Sequence, residues 1–202
     1  MIPSAAEIAR SLNGAWLLFR RDPGGLALFD RTARGAWNSF FAAVLVAPLY
    51  ATLWLLRDTG AGVGAGAATA VEAAADDTGM RFIAVKAIGY IAGWLAFPAL
   101  AFEVVRLLGR TERYVAFVVA TNWAGAIQQG IYLGVGLLMT LGPFPPPVAA
   151  MATLAALAVA LAYGWFAIRV SLGVPGAVAA GLLALDFALG LIIAGMERGL
   201  LR

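Results

Sequence analysis

Apolar and polar positions along the 202-residue chain separate into long uncharged runs and short breaks. A bilayer core of ~30 Å needs about 20 apolar helical residues to cross it. Gly35 to Leu56 carries no charge and makes a first span, residues 35–57. Between Lys86 and Glu103 lies a second uncharged run; with a turn added at each end it predicts a span over 82–107. Tyr114 to Ile168 is uncharged throughout, too long for one helix, and Gly142-Pro143-Phe144-Pro145-Pro146-Pro147 breaks it in the middle. Proline lacks the donor and clashes with the preceding turn, so this run divides into spans at 114–141 and 148–169. After the turn Leu172-Gly173-Val174-Pro175, residues 175–196 form a fifth span interrupted only by Asp186. The expected fold class is therefore all-α, a polytopic transmembrane bundle of about five spans over residues 35–196. An interfacial amphipathic helix is expected within residues 1–34, a Gly/Ala-rich external loop at 58–81, and a short tail at 197–202.

Composition narrows the chemistry. Hydrophobic residues make up 62% of the chain and charged residues 12%, where a soluble domain carries roughly 25% charged. Cysteine and histidine are both absent, so the sequence implies no disulfide, thiol nucleophile, Cys/His metal site or imidazole acid–base chemistry, and no cofactor is expected. The net charge of +3 comes from arginines placed at the ends of apolar runs. That placement points to membrane-surface anchoring and not to nucleic acid. Five arginines precede the first long apolar run, so no cleavable signal peptide is evident. Counting basic residues with the N-terminus inside puts nine on the cytoplasmic face and five opposite. The expectation is a bacterial inner-membrane protein with its N-terminus cytoplasmic and its C-terminus external.

Outside the spans, Ser4-Ala5-Ala6-Glu7 fits a capping box at a helix start. Behind it, Ile8, Leu12, Trp16 and Phe19 recur at helical spacing with Arg10, Asn13 and Arg20 elsewhere around the wheel, until Asp22-Pro23-Gly24-Gly25 stops the helix. Such a face lies in a headgroup layer or docks a partner, and the first is favoured about two to one as a prior. The chain is expected to bend near Gly35 as it enters the first span. In the 58–81 loop, Gly60, Gly62, Gly64 and Gly66 alternate, but the strand, helix and lysine of a phosphate-binding loop are missing, which leaves a flexible linker. Asp76-Asp77-Thr78 reads as a cap for the second span and not as a cation site.

Within the spans, Asp186 stands out. It lies about eleven residues, roughly 16 Å, beyond Pro175, near the bilayer midplane. A carboxylate there costs ~2.5–3.5 kcal/mol on insertion scales and should face the bundle interior. Asp186, Gly190, Ile193 and Glu197 share one helix face. Span three is its natural partner, because Asn122, Gly125, Gln129, Tyr132 and Gly136 fall at steps of three and four, with Gln128 one residue off. A proton- or cation-accepting site and a packing lock are about equally supported for Asp186, and interhelical hydrogen bonding is the commoner use of the span-three face. Gly89–Gly93 and Gly130–Gly134 are G-x-x-x-G pairs, and Ala180, Ala184 and Ala188 repeat at four, spacings that permit close helix contact. Pro98 is expected to bend span two. Glu103 and Arg106 are placed for an i,i+3 ion pair. Lys86 is placed to snorkel to headgroups, and Tyr163, Trp165 and Arg169 to close span four as an aromatic belt.

Residues 161–180, LAYGWFAIRVSLGVPGAVAA, are similar to the fourth span, turn and fifth-span start of the Yip (Ypt-interacting protein) family in its bacterial branch. Leu28-Phe29-Asp30 and Ala36-Trp37-Asn38-Ser39-Phe40 resemble the start of a first span in small bacterial integral-membrane proteins. The resemblance is one of layout: five short-looped spans behind an N-terminal cytoplasmic segment. Eukaryotic members of that family are associated with vesicle traffic and small-GTPase partners. Their Asp-Leu-Tyr-Gly-Pro signature is missing here, so neither that role nor any functional residue carries over.

Two functions compete. The first expectation is a non-catalytic membrane scaffold, an organiser or an accessory subunit of a larger complex, contacting the bilayer and a membrane-protein partner or a second copy of this chain. The other is a small transporter or channel, with Asp186, Asn122, Gln129 and Tyr132 lining a proton or cation path. No enzyme is expected: the chain has no convergent set of catalytic groups, and Ser39 and Ser171 lie at the face opposite Lys86. No metal site is expected either.

Overall fold

The structure, a computed structural model, describes residues 2–58, 77–142 and 144–201, with the side chains of all but 54–58 and 77–78 among them. The described residues outside turns and connections are helical: α1 (Ala5–Phe19), α2 (Ala33–Ser39), α3 (Phe41–Asp58), α4 (Asp77–Leu107), α5 (Tyr114–Leu141), α6 (Pro146–Leu172) and α7 (Gly176–Leu200). Short 3-10 turns at Pro23–Leu28 and Thr111–Arg113 join α1 to α2 and α4 to α5. Five segments are long and apolar enough to cross a membrane: Ala33–Leu53, Gly79–Leu107, Thr111–Leu141, Pro146–Leu172 and Gly176–Leu200. The protein is an all-α, multi-pass membrane bundle.

Local signals explain most helix ends. Ser4 Oγ accepts from the Glu7 amide at 3.2 Å, forming half of the expected capping box. The other half does not form, because the Glu7 carboxylate accepts from Asn38 Nδ2 at 2.8 Å and ties α1 to α2. Thr32 caps α2 through the Gly35 amide at 3.1 Å. Asp30 sits just outside that cap, and hydrogen bonds from the Thr32 side chain and amide hold its carboxyl below the ordinary 3.8. Pro146 and Pro147 stand in the first turn of α6, where the missing donors cost nothing. Gly173 ends that helix at φ 63, a left-handed position that suits glycine.

Several boundaries differ from the sequence expectation. The first span bends at Phe40 and not at Gly35: α2 stops at Ser39, whose hydroxyl donates to its own helix at Ala36 O, and α3 restarts at Phe41. α4 begins at Asp77, so residues 77–81 of the expected loop are helical. Residues 59–76, with Gly60, Gly62, Gly64, Gly66 and Asp76, lie outside the described residues. α7 runs to Leu200, so 197–200 are helix and not tail. α4 continues through Pro98, whose carbonyl accepts from Tyr114 Oη at 2.8 Å.

The core is built around α5, with Trp123 2% exposed among Leu18, Val119 and Tyr163. α5 packs against α1, α2, α3 and α6, whereas α4 packs chiefly on α7, and α7 also on α6. The N-terminal helix packs one face into this core. Ala15 and Leu18 are fully buried, and the Tyr163 hydroxyl donates to Ala15 O at 2.6 Å. Tyr163 is therefore a core residue, 1% exposed, and not a member of an aromatic belt. Trp165 keeps an end-of-helix role, donating to Gly176 O at 2.9 Å beneath the Arg169 guanidinium. Gly14 and Gly25 meet so closely that a Cβ on either would strike the other's backbone oxygen, which lets the 3-10 turn fold back along α1.

Candidate functional site

α4, α5, α6 and α7 border a cavity of about 540 Å³. Aromatic contacts brace one side: Phe97 meets Phe117 edge-on with centroids 5.7 Å apart, and Tyr90, tilted against Tyr50 with centroids 4.7 Å apart, donates to Ala43 O on α3 at 2.6 Å. The Trp94 ring lies over Gly125 of α5, where a side chain would fill the space. Glycines are lining residues here. Gly93 and Gly190 border the cavity and meet no neighbouring atom within 4 Å of where a Cβ would be.

The residues singled out from sequence converge on this cavity. Asp186, Gly190, Ile193 and Glu197 all line it from α7. Asn122, Gly125, Gln129 and Tyr132 line it from α5, while Gly136 is buried elsewhere. Their roles differ. Asn122 is 4% exposed and donates to Ser39 Oγ at 2.8 Å, an interhelical lock between α5 and α2. Gln128 also lines the cavity, and its amide donates to Ala160 O of α6 at 2.6 Å. Gln129 and Tyr132 are exposed at the rim. Asp186 is half-buried, and among the described residues no hydrogen bond or ion pair reaches it.

A second acid joins from the far end of α7. Glu197 Oε2 pairs with Lys86 Nζ of α4 at 2.9 Å, with the two side chains only 12% and 20% exposed. Lys86 thus points into the bundle, contrary to the expected reach toward headgroups. The physical reason is Gly89: the Glu197 carboxylate lies against the bare Cα one turn beyond Lys86, where any side chain would displace it. The pairing joins residues 111 apart in the chain. Its sequence signal was present in two pieces, a lone lysine inside one span and an acid on the Asp186 face of another.

Other expectations resolve differently. Glu103 and Arg106 form the expected i,i+3 pair at 2.6 Å, well exposed. Of the proposed surface face on α1, Ile8, Leu12 and Phe19 pack against the bundle's own core, and Trp16 remains 49% exposed. The correction has a simple cause: α5 and α6 offer this helix an apolar bed that includes Tyr163. Gly130 and Gly134 meet no neighbour within 4 Å of where a Cβ would be, and Ala180, Ala184 and Ala188 are exposed, so among the described residues these small-residue spacings are not used for close helix contact. Among the described residues, no group of three or more His, Cys, Asp or Glu is placed to hold a metal ion.

Compared with protein-family models, with curated proteins and with solved structures, the chain matches none of them.

Proposed function

We propose that this multi-pass protein binds and passes a cationic solute or a proton through the cavity between α4, α5, α6 and α7, as a small transporter or channel and not as an enzyme. The supporting observation is Asp186, half-buried in a span, lining a cavity of about 540 Å³ without an ionic or hydrogen-bonded partner among the described residues. An acid inside a membrane segment costs free energy, and such residues commonly serve ion or proton movement. Asn122, which the sequence puts beside it as a path-lining group, contributes chiefly structure through Ser39. Gln129 and Tyr132 are the rim groups free to meet a solute. In this reading the protein sits in a bacterial inner membrane with its N-terminus cytoplasmic. Reconstitution in vesicles tests it: proton and alkali-cation fluxes are followed for the unaltered chain and for Asp186→Asn. Loss of a flux in a variant that still reconstitutes is the expected result, and equal or absent flux in both overturns the proposal.

A second reading, a Yip-like organiser or accessory subunit, draws on the outward faces. Trp37 is 78% exposed, and the exposed Ala180–Ala184–Ala188 stripe leaves α7 open to close approach by a partner or a second copy. Purification from native membranes in mild detergent separates the two. A stoichiometric membrane-protein companion or a stable homo-oligomer supports this second reading, and a monomeric particle containing only this chain removes it.

A further inference from the structure

The cavity is larger than a proton or a bare ion requires. At about 540 Å³ it falls in the range of small-molecule sites, roughly 300–1,000 Å³. Aromatic rings supply much of its wall: Tyr90, Trp94, Phe97, Tyr132 and Phe187. Charge on that wall is one-sided. Glu197 is neutralised by Lys86 at 2.9 Å, which leaves Asp186 as the uncompensated group among the described lining residues. Three polar groups of the wall are tied into the bundle. Gln128 gives its amide to Ala160 O, Asn122 to Ser39 Oγ, and Thr121 its hydroxyl to Phe117 O. A single carboxylate and ring faces attract positive charge, the rings through their quadrupole. A hard metal ion favours several carboxylates, and among the described residues no group of three His, Cys, Asp or Glu is gathered here.

We infer that the cavity takes an amphipathic organic cation, an ammonium head seated at Asp186 with its hydrocarbon or aromatic body against Trp94, Phe97 and Phe187. This rests on the transport reading above and names the solute class for it. An apolar body gains from leaving water, and the ammonium gains a counter-charge in low dielectric where such a pair is strong.

The test uses the full chain in lipid nanodiscs, with benzyltrimethylammonium as probe and neopentylbenzene as its uncharged isostere. Binding is measured by equilibrium dialysis above that of protein-free nanodiscs. Saturable binding of the cation, and none of the isostere, is expected. Asp186→Asn should weaken the cation by about tenfold or more through loss of the counter-charge in low dielectric, Asp186→Glu should retain it, and Trp94→Leu should weaken it roughly threefold or more. Helix content and gel filtration establish that each variant is folded. Equal binding of cation and isostere to the unaltered protein overturns the inference even if every variant misfolds, and so does unchanged binding by a folded Asp186→Asn. Failure of the probe to bind, while a proton or alkali-cation flux still depends on Asp186, removes the organic-cation class and leaves the transport reading standing. Failure of both removes both.

Discussion

On the side of α5 that faces α1, α2 and α3, polar atoms are paired: Asn122 with Ser39, Glu7 with Asn38, the Tyr163 hydroxyl with Ala15 O. On the side that faces α4 and α7, Asp186, Gln129 and Tyr132 border open volume. Small residues divide the same way. Gly14 and Gly25 let two backbones meet, whereas Gly93 and Gly190 leave space that nothing fills. The same residue types thus serve cohesion in one half and a cavity in the other. In lipid, apolar side chains gain little by leaving their surroundings, so packing and hydrogen bonds hold the first half together. The second half gives up part of that packing for a polar chamber.

The contrast predicts opposite responses to substitution. The largest effect belongs to the packed half: Trp123→Ala, at a ring 2% exposed, should cost about 3–5 kcal/mol by cavity creation, read by denaturant titration in detergent. In the cavity half the sign should reverse. Asp186→Leu removes a partnerless acid from a span and should stabilise the fold by about 2–3 kcal/mol; a destabilised variant would mean that the acid is structural. Glu197→Gln tests the ion pair that ties α4 to α7 within the cavity half. It breaks the ion pair with Lys86 and should cost about 1.5–3 kcal/mol, while Gly89→Val should reproduce the loss by expelling the carboxylate. Asn122→Leu breaks an interhelical hydrogen bond, for which about 0.6 kcal/mol is typical in membranes. Asp30 gives the smallest effect. Its carboxyl is held below 3.8 by Thr32, so its contribution is present above that value and fades as pH falls through the lower folded value. Asp30→Asn should flatten this acid limb, and exposure keeps the change small.

Much of the fold was legible because lipid imposes simple rules. A span must be long, apolar and helical, so charge-free runs and the proline-rich break between α5 and α6 revealed five segments. The shared faces of Asp186–Glu197 and of Asn122–Gly125–Gln129–Tyr132 followed from helical period alone, and all six residues line one cavity. Periodicity does not say what lies opposite a face. It placed Asn122 and Gln129 together, yet one is locked to Ser39 and the other is open. It read Ile8, Leu12 and Phe19 as a surface for lipid or a partner, and the chain's own helices cover them.

What the sequence by itself determined is the set of helices, their approximate ends and the face each presents, because these depend on local hydrogen bonding, capping and a 3.6-residue period. What only the tertiary structure decided is the pairing of those faces. Lys86 reaches Glu197 across 111 positions, Tyr163 reaches Ala15 across 148, and α4 leans on α7 so that a cavity stays open beside α5. Such contacts depend on how whole helices settle against one another, through shape and a few polar bonds, which no local stretch of the chain encodes.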